Sequence, residues 1–426
     1  LSSSPVFIAH NITEARKYSL ESIHLSFRER ILKYSIENKL LIINALFAIS
    51  GFFLFKRGKP RKVKETVVFT SGILGDTIIM AGAIAALKEK YNEARITVVT
   101  NCQKYAKGGS EILSEMPYVD KQIFIDDKYI SRRGIRFRIN NNELSNIACD
   151  LFINLSPFGR RGWSGAVMRE LILAKLLKSK WAFGFSVTSP FPRTKTQKII
   201  HYFCVNEPRR AASILSRLNL SPLTGEQSIP INQEKRKEIE TLLTSTGISQ
   251  GKLFAAINPG AKNNSKCWSP VKFGKVARWL FETYGFIPVL TGSAIEYERC
   301  ETVNKASGSV CVNLAGKTDL AGLIELLRLS SICVSNDTGP MHVSGCLGKP
   351  TVGIFAARWN AEFWFPQGDK SVAVFSKPFC ALCIKDPFLE DEDPIICLED
   401  IDIGSVQMAI KDLIPEMPER SVDVVS

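Results

Sequence analysis

Three short polar stretches stand at the ends of apolar runs in this chain, and each carries residues suited to handling an anion or a proton. The first, Gly72-Ile73-Leu74-Gly75-Asp76, follows Thr66-Val67-Val68-Phe69-Thr70. Two glycines let the backbone approach a bound group closely. Asp76, at the start of the next helix, could cap that helix or serve as a general base. The turn lacks the third glycine of a dinucleotide fingerprint. The second stretch is Asn258-Pro259-Gly260-Ala261-Lys262, followed by Lys266-Cys267-Trp268. A lysine on a loop at a strand end can neutralise a diphosphate, or can simply be solvated. The third is Ser335-Asn336-Asp337-Thr338-Gly339-Pro340-Met341-His342. Pro340 pre-sets a first helical turn, and the free N–H groups and positive dipole end of such a turn favour phosphate. Thr338 adds a hydroxyl, and His342 falls within that turn.

These stretches need elements to hold them. Thr66–Thr70 is a β-rich run, Thr77 to Tyr91 has helical character, and Arg95–Thr100 is a second strand. That βαβ order implies a parallel sheet, with Ile123–Ile125 and Leu151–Asn154 as further strands. The pattern restarts near Leu253. Strands are expected at Phe254–Ile257, Ile287–Leu290, Val310–Leu314, Ile332–Ser335 and Thr351–Phe355, with a helix opened by Ser269-Pro270 and running to Tyr284. Ser221 to Asn232 reads as a linker. The expected organisation is therefore two doubly wound Rossmann-like domains, 64–232 and 233–426, facing a cleft, with ligands at the carboxyl ends of the strands.

Residues 1–63 read differently. Leu20, Ile23, Phe27, Ile31 and Tyr34 recur at helical spacing, and 40–55 carry no charge. As a helix that run is roughly 24 Å long, against a hydrocarbon core of ~30 Å. It is short for a span and suits an in-plane or re-entrant element. Lys39 on one side, and Lys56, Arg57, Lys59, Arg61, Lys62 and Lys64 on the other, favour the cytoplasmic face and anionic lipid. An N-terminal extension of amphipathic and apolar helices is expected here, associating with the membrane peripherally or monotopically.

The formal net charge of +13 calls for an anionic partner. No aromatic–basic module of a nucleic-acid binder is present, so nucleic acid is not expected. Arg132, Arg133, Arg136 and Arg138 form one basic cluster, and Arg160 and Arg161 another. They could hold an acidic acceptor or face a lipid surface. The 11 cysteines, scattered through apolar runs, indicate buried thiols in a reducing compartment. Cys380, Cys383 and Cys397 have the spacing that opens a zinc site, yet the four histidines (His10, His24, His201 and His342) all lie elsewhere, and no metal is expected.

Taken in order, the GILGD turn, NPGA with K-x-W, TGS followed by glutamate, NLAGKTDL, and SNDTGPMH leading to GKPTVGIF resemble glycosyltransferase family 9 over roughly residues 64–415. That family includes the ADP-heptose:lipopolysaccharide heptosyltransferases. The resemblance implies a GT-B fold and an inverting, metal-independent transfer that needs no cofactor. The co-substrate would be a nucleotide-diphosphate sugar, ADP-heptose-like, and the acceptor an anionic lipid-linked or lipopolysaccharide-type glycan. It implies Asp76 as general base. It places Gly260, Ala261, Lys262 and Lys266 at the donor, with Lys266 on the diphosphate. Glu296, with Glu298 as alternate, would meet the ribose, and Leu314, Ala315 and Gly316 would lie near the base. Asp337, Thr338 and Gly339 would bind the diphosphate through backbone amides, with His342 beside them. Gly72, Gly75, Arg132, Arg133, Arg136, Arg160 and Arg161 would face the acceptor. A hexose or N-acetylhexosamine transferase on the same fold, and a non-catalytic nucleotide-sugar-binding scaffold, are the competing readings. One departure bears on sugar choice: the family's Phe-Gly after the last core strand is here Phe355-Ala356-Ala357-Arg358.

Overall fold

The computed structural model of the chain describes residues 6–11, 14, 42, 46, 53–70, 74–101, 107–125, 128, 130–133, 136–156, 164–185, 207–223, 225–356, 364–376 and 396–415. They fall into two compact units. One comprises residues 24–230, the other residues 1–23 together with 231–426.

In the unit of residues 24–230, five strands form one parallel sheet: β2 (Glu65–Phe69), β3 (Arg95–Asn101), β4 (Lys121–Ile125), β7 (Leu151–Asn154) and β8 (Trp181–Phe183), in the spatial order β4-β3-β2-β7-β8. β7 is buried along its whole length and β2 at all but its first residue. Such unbroken burial is the mark of parallel strands covered on both faces. The helix Leu74–Lys90 follows β2 directly. Its Gly82 receives a close backbone approach: a Cβ there would lie 1.9 Å from the Leu223 carbonyl oxygen, and the Leu223 N–H donates to the Gly82 carbonyl at 2.9 Å. The Tyr118 hydroxyl donates to the carbonyls of Ala81 and Ser228. The expected linker is thus packed against this unit as far as Ile229, and the chain passes to the other unit after Pro230, at Ile231. β5 (Ile130–Arg133) and β6 (Arg136–Ile139) form a separate hairpin in which Arg133 pairs with Arg136 and Arg132 with Phe137.

The second unit has a seven-stranded sheet. Its strands are β1 (Val6–Ala9), β9 (Phe254–Asn258), β10 (Ile287–Leu290), β11 (Val312–Asn313), β12 (Ile332–Asn336), β13 (Thr351–Phe355) and β14 (Ser371–Ser376), in the order β1-β14-β13-β12-β9-β10-β11. β9 to β14 are parallel. Numbered along the chain they follow the 3-2-1-4-5-6 order of a doubly wound sheet. β11 is shorter than the five residues its apolar run predicts. The helix Pro270–Tyr284 takes Ser269 as N-cap residue and Pro270 in its first turn, and ends at Gly285 with φ 69°, as N-terminal proline and C-terminal glycine dictate.

Part of the expected N-terminal extension is corrected. Val6–Ala9 is not helical. It is an edge strand of the second unit, antiparallel to β14. Further along, Phe55 is buried in the core of the first unit, and the Lys56 N–H donates to the Lys180 carbonyl at 2.7 Å. Ile42, Leu46 and Phe53 are helical and exposed. The periodic run through Leu20, Ile23, Phe27, Ile31 and Tyr34 lies outside the described residues. Among the described residues, no helix is long and apolar enough to cross a membrane.

Candidate functional site

The strand order of the second unit decides where a site can form. It reverses between β9 and β12, so the loops leaving these two strands diverge from neighbouring ends. The register pairs Asn258 with Ser335. The loop carrying Gly260, Ala261, Lys262 and Lys266 therefore starts beside the turn carrying Asp337, Thr338 and Gly339. Asn336 joins the two. Its Oδ1 accepts from the Trp268 N–H at 3.0 Å, and its Nδ2 donates to the Pro259 carbonyl at 2.9 Å. Trp268 is fully buried, edge-on to Phe273 with ring centroids 5.0 Å apart, and its Nε1 donates to the Ile401 carbonyl at 3.0 Å. The indole thus holds one end of the loop while Asn336 fixes its path.

Lys266 closes the short 3₁₀ turn Asn264–Lys266. Its Nζ lies 2.5 Å from Asp337 Oδ2, with the aspartate side chain 4% exposed and the lysine 20%. Asp337 departs from one expectation. Its N–H donates to the Ile354 carbonyl at 3.0 Å, so that amide is committed to the sheet and is not offered to a ligand. The side chain matters instead, as the partner that fixes Lys266. The helix Gly339–Cys346 begins at the N-cap Thr338, whose hydroxyl makes no capping bond. A helix start leaves the N–H groups of its first turn without partners inside the helix, here those of Gly339 and Met341, since Pro340 has none. A lysine, a threonine hydroxyl and a helix N-terminus on adjacent loops are the kinds of group that bind anions.

His342 sits in that first turn, buried. Its Nε2 lies 3.9 Å from Asp337 Oδ1, and its ring meets Trp364 edge-on with centroids 6.4 Å apart. Burial pushes its pKa down to about 4, the Lys266 ammonium pushes the same way, and Asp337 opposes both. The imidazole is neutral at pH 7, and its Nδ1 has no hydrogen-bond partner among the described residues.

Glu296 lies on the neighbouring loop, after β10. Its Oε2 accepts from the Ser293 N–H at 2.7 Å and from the Ser293 hydroxyl at 2.8 Å, a capping box that locks the carboxylate. Its Oε1 rests against Gly260, where an added Cβ would meet it at 1.9 Å. Only glycine admits the carboxylate there. Glu298 is exposed on the following helix, Tyr297–Ala306. Leu314 and Ala315 are buried beyond β11, and Gly316, at φ 74°, donates its N–H to the Gly292 carbonyl at 2.9 Å. The loops after β9, β10 and β11 are thereby tied to one another. Ala261 is half-buried and Lys262 exposed. Asn336, Trp268 and Ser293 were not singled out from sequence as site residues. Their neighbours Asp337, Lys266 and Glu296 were, and the signal that could have found them was adjacency within the same short motifs.

In the unit of residues 24–230, Asp76 is the third residue of the helix Leu74–Lys90, inside its first turn rather than at the cap. The helix leaves β2, which lies between β3 and β7 at the reversal point of its own sheet. Gly75 is buried. The side chain of Asp76, and Gly72, Arg160 and Arg161 altogether, lie outside the described residues. Arg132, Arg133 and Arg136 are placed by their backbone on the β5–β6 hairpin. Of the cysteine cluster, Cys380 and Cys383 lie outside the described residues, and Cys397 falls in the helix Ile396–Glu399. Among the described residues, no group of three or more His, Cys, Asp or Glu could hold a metal ion.

Comparison with known proteins follows the same lines. The family model of glycosyltransferase family 9 (heptosyltransferase) matches residues 171–391, just over half the chain. Lipooligosaccharide heptosyltransferase 2 of Haemophilus influenzae is 30% identical over 327 residues, covering 71% of this chain and 85% of that protein. Lipopolysaccharide heptosyltransferase 3 of Escherichia coli is 23% identical, covering 80% of this chain and 96% of that one. Among solved structures, the family 9 glycosyl transferase from Veillonella parvula superposes with a TM-score of 0.60 at 20% identity, covering 84% of this chain and all 100% of its own. The E. coli ADP-heptose LPS heptosyltransferase II gives 0.54 at 18%, covering 83% and 99%. These two structures show the fold, and the family model and the Haemophilus relative carry the assignment. The chain belongs to glycosyltransferase family 9, the heptosyltransferase family, and is a glycosyltransferase.

Proposed function

We propose that this enzyme moves a heptose, with inversion, from a nucleotide-diphosphate sugar such as ADP-heptose to a lipid-linked or lipopolysaccharide-type glycan at the cytoplasmic face of the membrane. The observation that carries the donor half is the corner formed by Lys266, Thr338 and the N-terminus of Gly339–Cys346, at the reversal point of a doubly wound sheet. The heptose and the glycan acceptor are the words in the relatives' names. In this reading the acceptor hydroxyl gives its proton to the Asp76 carboxylate as its oxygen attacks the anomeric carbon. The bond from that carbon to the diphosphate oxygen breaks, and the nucleoside diphosphate leaves. Negative charge growing on the leaving group meets the Lys266 ammonium, the Thr338 hydroxyl and the first-turn amides, which are in place before the reaction begins. The protein's own groups supply this stabilisation, so no metal enters the scheme. Glu296, held by Ser293, is positioned for the ribose hydroxyls, and Leu314–Gly316 for the base. The arginines of the β5–β6 hairpin, with Arg160 and Arg161, serve the acidic acceptor. The exposed Ile42, Leu46 and Phe53 and the basic run from Lys56 to Lys64 serve the membrane surface.

The test is a donor screen. ADP-heptose, UDP-glucose and UDP-N-acetylglucosamine are each incubated with the enzyme and a membrane extract, and products are weighed by mass spectrometry. A heptose increment supports the reading, and a hexose or N-acetylhexosamine increment replaces it with the corresponding transferase. Asp76→Asn is expected to bind ADP normally and to lose about 10²–10⁴-fold in kcat, the span of a positioned base. Turnover near that of the parent enzyme would remove Asp76 from the role.

A further inference from the structure

β1 does more than lengthen the sheet. Its alternate residues enter two different packing layers. Val6 and Ile8 pack towards the main core, with Ile403 and Leu413 of the C-terminal helix Ile403–Leu413. Phe7 and Ala9 enter a separate layer with Phe375, Ala373, Phe355 and Met341. Phe7 stacks on Phe375 with ring centroids 5.7 Å apart, and Ala9 is fully buried. The strand is clipped where it ends: His10 Nε2 lies 3.4 Å from Asp412 Oδ2, and the His10 N–H donates to Glu14 Oε2 at 2.8 Å.

Met341 is the link to the site. It lies in the first turn of Gly339–Cys346, next to His342, and is fully buried. Its sulfur occupies the space over Gly353 of β13, where an added Cβ would lie 2.4 Å from it. The start of the anion-binding helix therefore rests on an apolar layer whose outer members come from a strand more than 300 residues earlier in the chain.

We infer that Val6–Ala9 is a positioning strand for the donor site: the Phe7–Ala9 side of β1 holds Met341, and through it the first turn of Gly339–Cys346, at the height that grips the diphosphate. The inference rests on the donor-site reading above. A strand that merely covered a sheet edge would guard against aggregation and would leave that turn unchanged.

The test uses the full chain carrying Phe7→Asp and Ala9→Asp, which places two carboxylates in an apolar layer and detaches the strand. Three quantities are compared with the parent protein: amide hydrogen exchange along the chain, ADP affinity by calorimetry, and the KM values for donor and acceptor. Exchange protection across 339–346 is expected to fall about ten-fold or more while that across 270–284 holds. The ADP Kd and the donor KM are expected to rise about ten-fold, with acceptor KM unchanged. A synthetic peptide of residues 1–14, added in excess, is expected to restore protection and affinity together. Unaltered protection across 339–346, uniform loss throughout the unit, or failure of the peptide to rescue would each overturn the inference. If the double variant does not fold, Phe7→Ala, which removes only the ring stack, is carried through the same measurements. Should the parent protein bind no ADP, the donor reading fails, and the exchange measurement still decides the role of the strand.

Discussion

Lys266→Met separates two jobs that one lysine could hold, gripping a ligand and completing the fold. The change removes the charge and keeps an unbranched stem. In the parent protein the Lys266 ammonium is 2.5 Å from Asp337 Oδ2, and the aspartate side chain is only 4% exposed. The carboxylate left behind cannot turn to bulk water. Removing one partner of a buried pair costs about 3–5 kcal/mol, and because the lysine side is 20% exposed we take the low end, about 3 kcal/mol. Asp337→Asn on that background removes the stranded charge, so the double variant should lie within about 1 kcal/mol of the parent, giving a coupling of about 2 kcal/mol or more. His342 adds a second signature. Its Nε2 is 3.9 Å from Asp337 Oδ1, and its pKa is lowered by Lys266 and raised by Asp337. Without the lysine that pKa rises, the folded variant takes up a proton sooner than the parent, and the imidazolium becomes the aspartate's new partner. The deficit of Lys266→Met must then shrink as pH falls. Urea denaturation at two pH values, about 7.5 and about 5, measures all of this, with ADP calorimetry reporting the ligand role separately. Additive losses within about 0.5 kcal/mol, or a deficit that grows on acidification, would refute the reasoning.

Other perturbations read other parts of the same corner. In the parent protein, His342 has its folded pKa near 4 against an ordinary 6.5. As pH falls below 6.5 the unfolded chain takes a proton that the folded chain refuses, so stability is full above that value and is lost on the way down to about 4. At about 1.4 kcal/mol per unit, the loss approaches 3 kcal/mol. His342→Gln should flatten that part of the stability–pH curve, and an unchanged curve, or an NMR titration of His342 near 6.5, would count against it. Gly260→Ala sets a methyl where Glu296 Oε1 now rests. The glutamate must leave Ser293, and we expect a loss of about 1 kcal/mol in stability for the broken cap and roughly a ten-fold weaker ADP Kd by calorimetry. Gly292→Ala, whose nearest contact to Glu296 would be 3.2 Å, is the milder comparison, and equal effects from the two would argue against the geometry.

Much of the local structure around the proposed donor side is legible in the chain alone. Continuous apolar strands, Pro270 opening a helix, and glycine beside aspartate and threonine at a strand's end are local features, and local features survive into the fold because propensity and burial agree there. The motif order puts Lys266, Glu296 and Asp337 on three separate loops, those after β9, β10 and β12. What remained hidden was who holds whom. Nothing in the spacing of 71 residues between Lys266 and Asp337 predicts an ion pair, or that the Asp337 amide is spent on Ile354. Asn336 looks like an ordinary strand end until its side chain is found joining Trp268 to Pro259.

The N-terminus makes the division plainest. Val6-Phe7-Ile8-Ala9 is too short for its periodicity to distinguish strand from helix, and it precedes a run that reads as helical. Contiguous residues already carry most strands of the two sheets, the family resemblance and the loops bearing the three polar motifs, whereas the strands Trp181–Phe183 and Ser371–Ser376 emerge only in the folded chain. Folding is what adds the edge strand Val6–Ala9 to the sheet of residues 231–426, sets Lys266 against Asp337 and keeps His342 neutral. Each of these depends on a partner distant in sequence and on exclusion from water, and the folded chain alone supplies both.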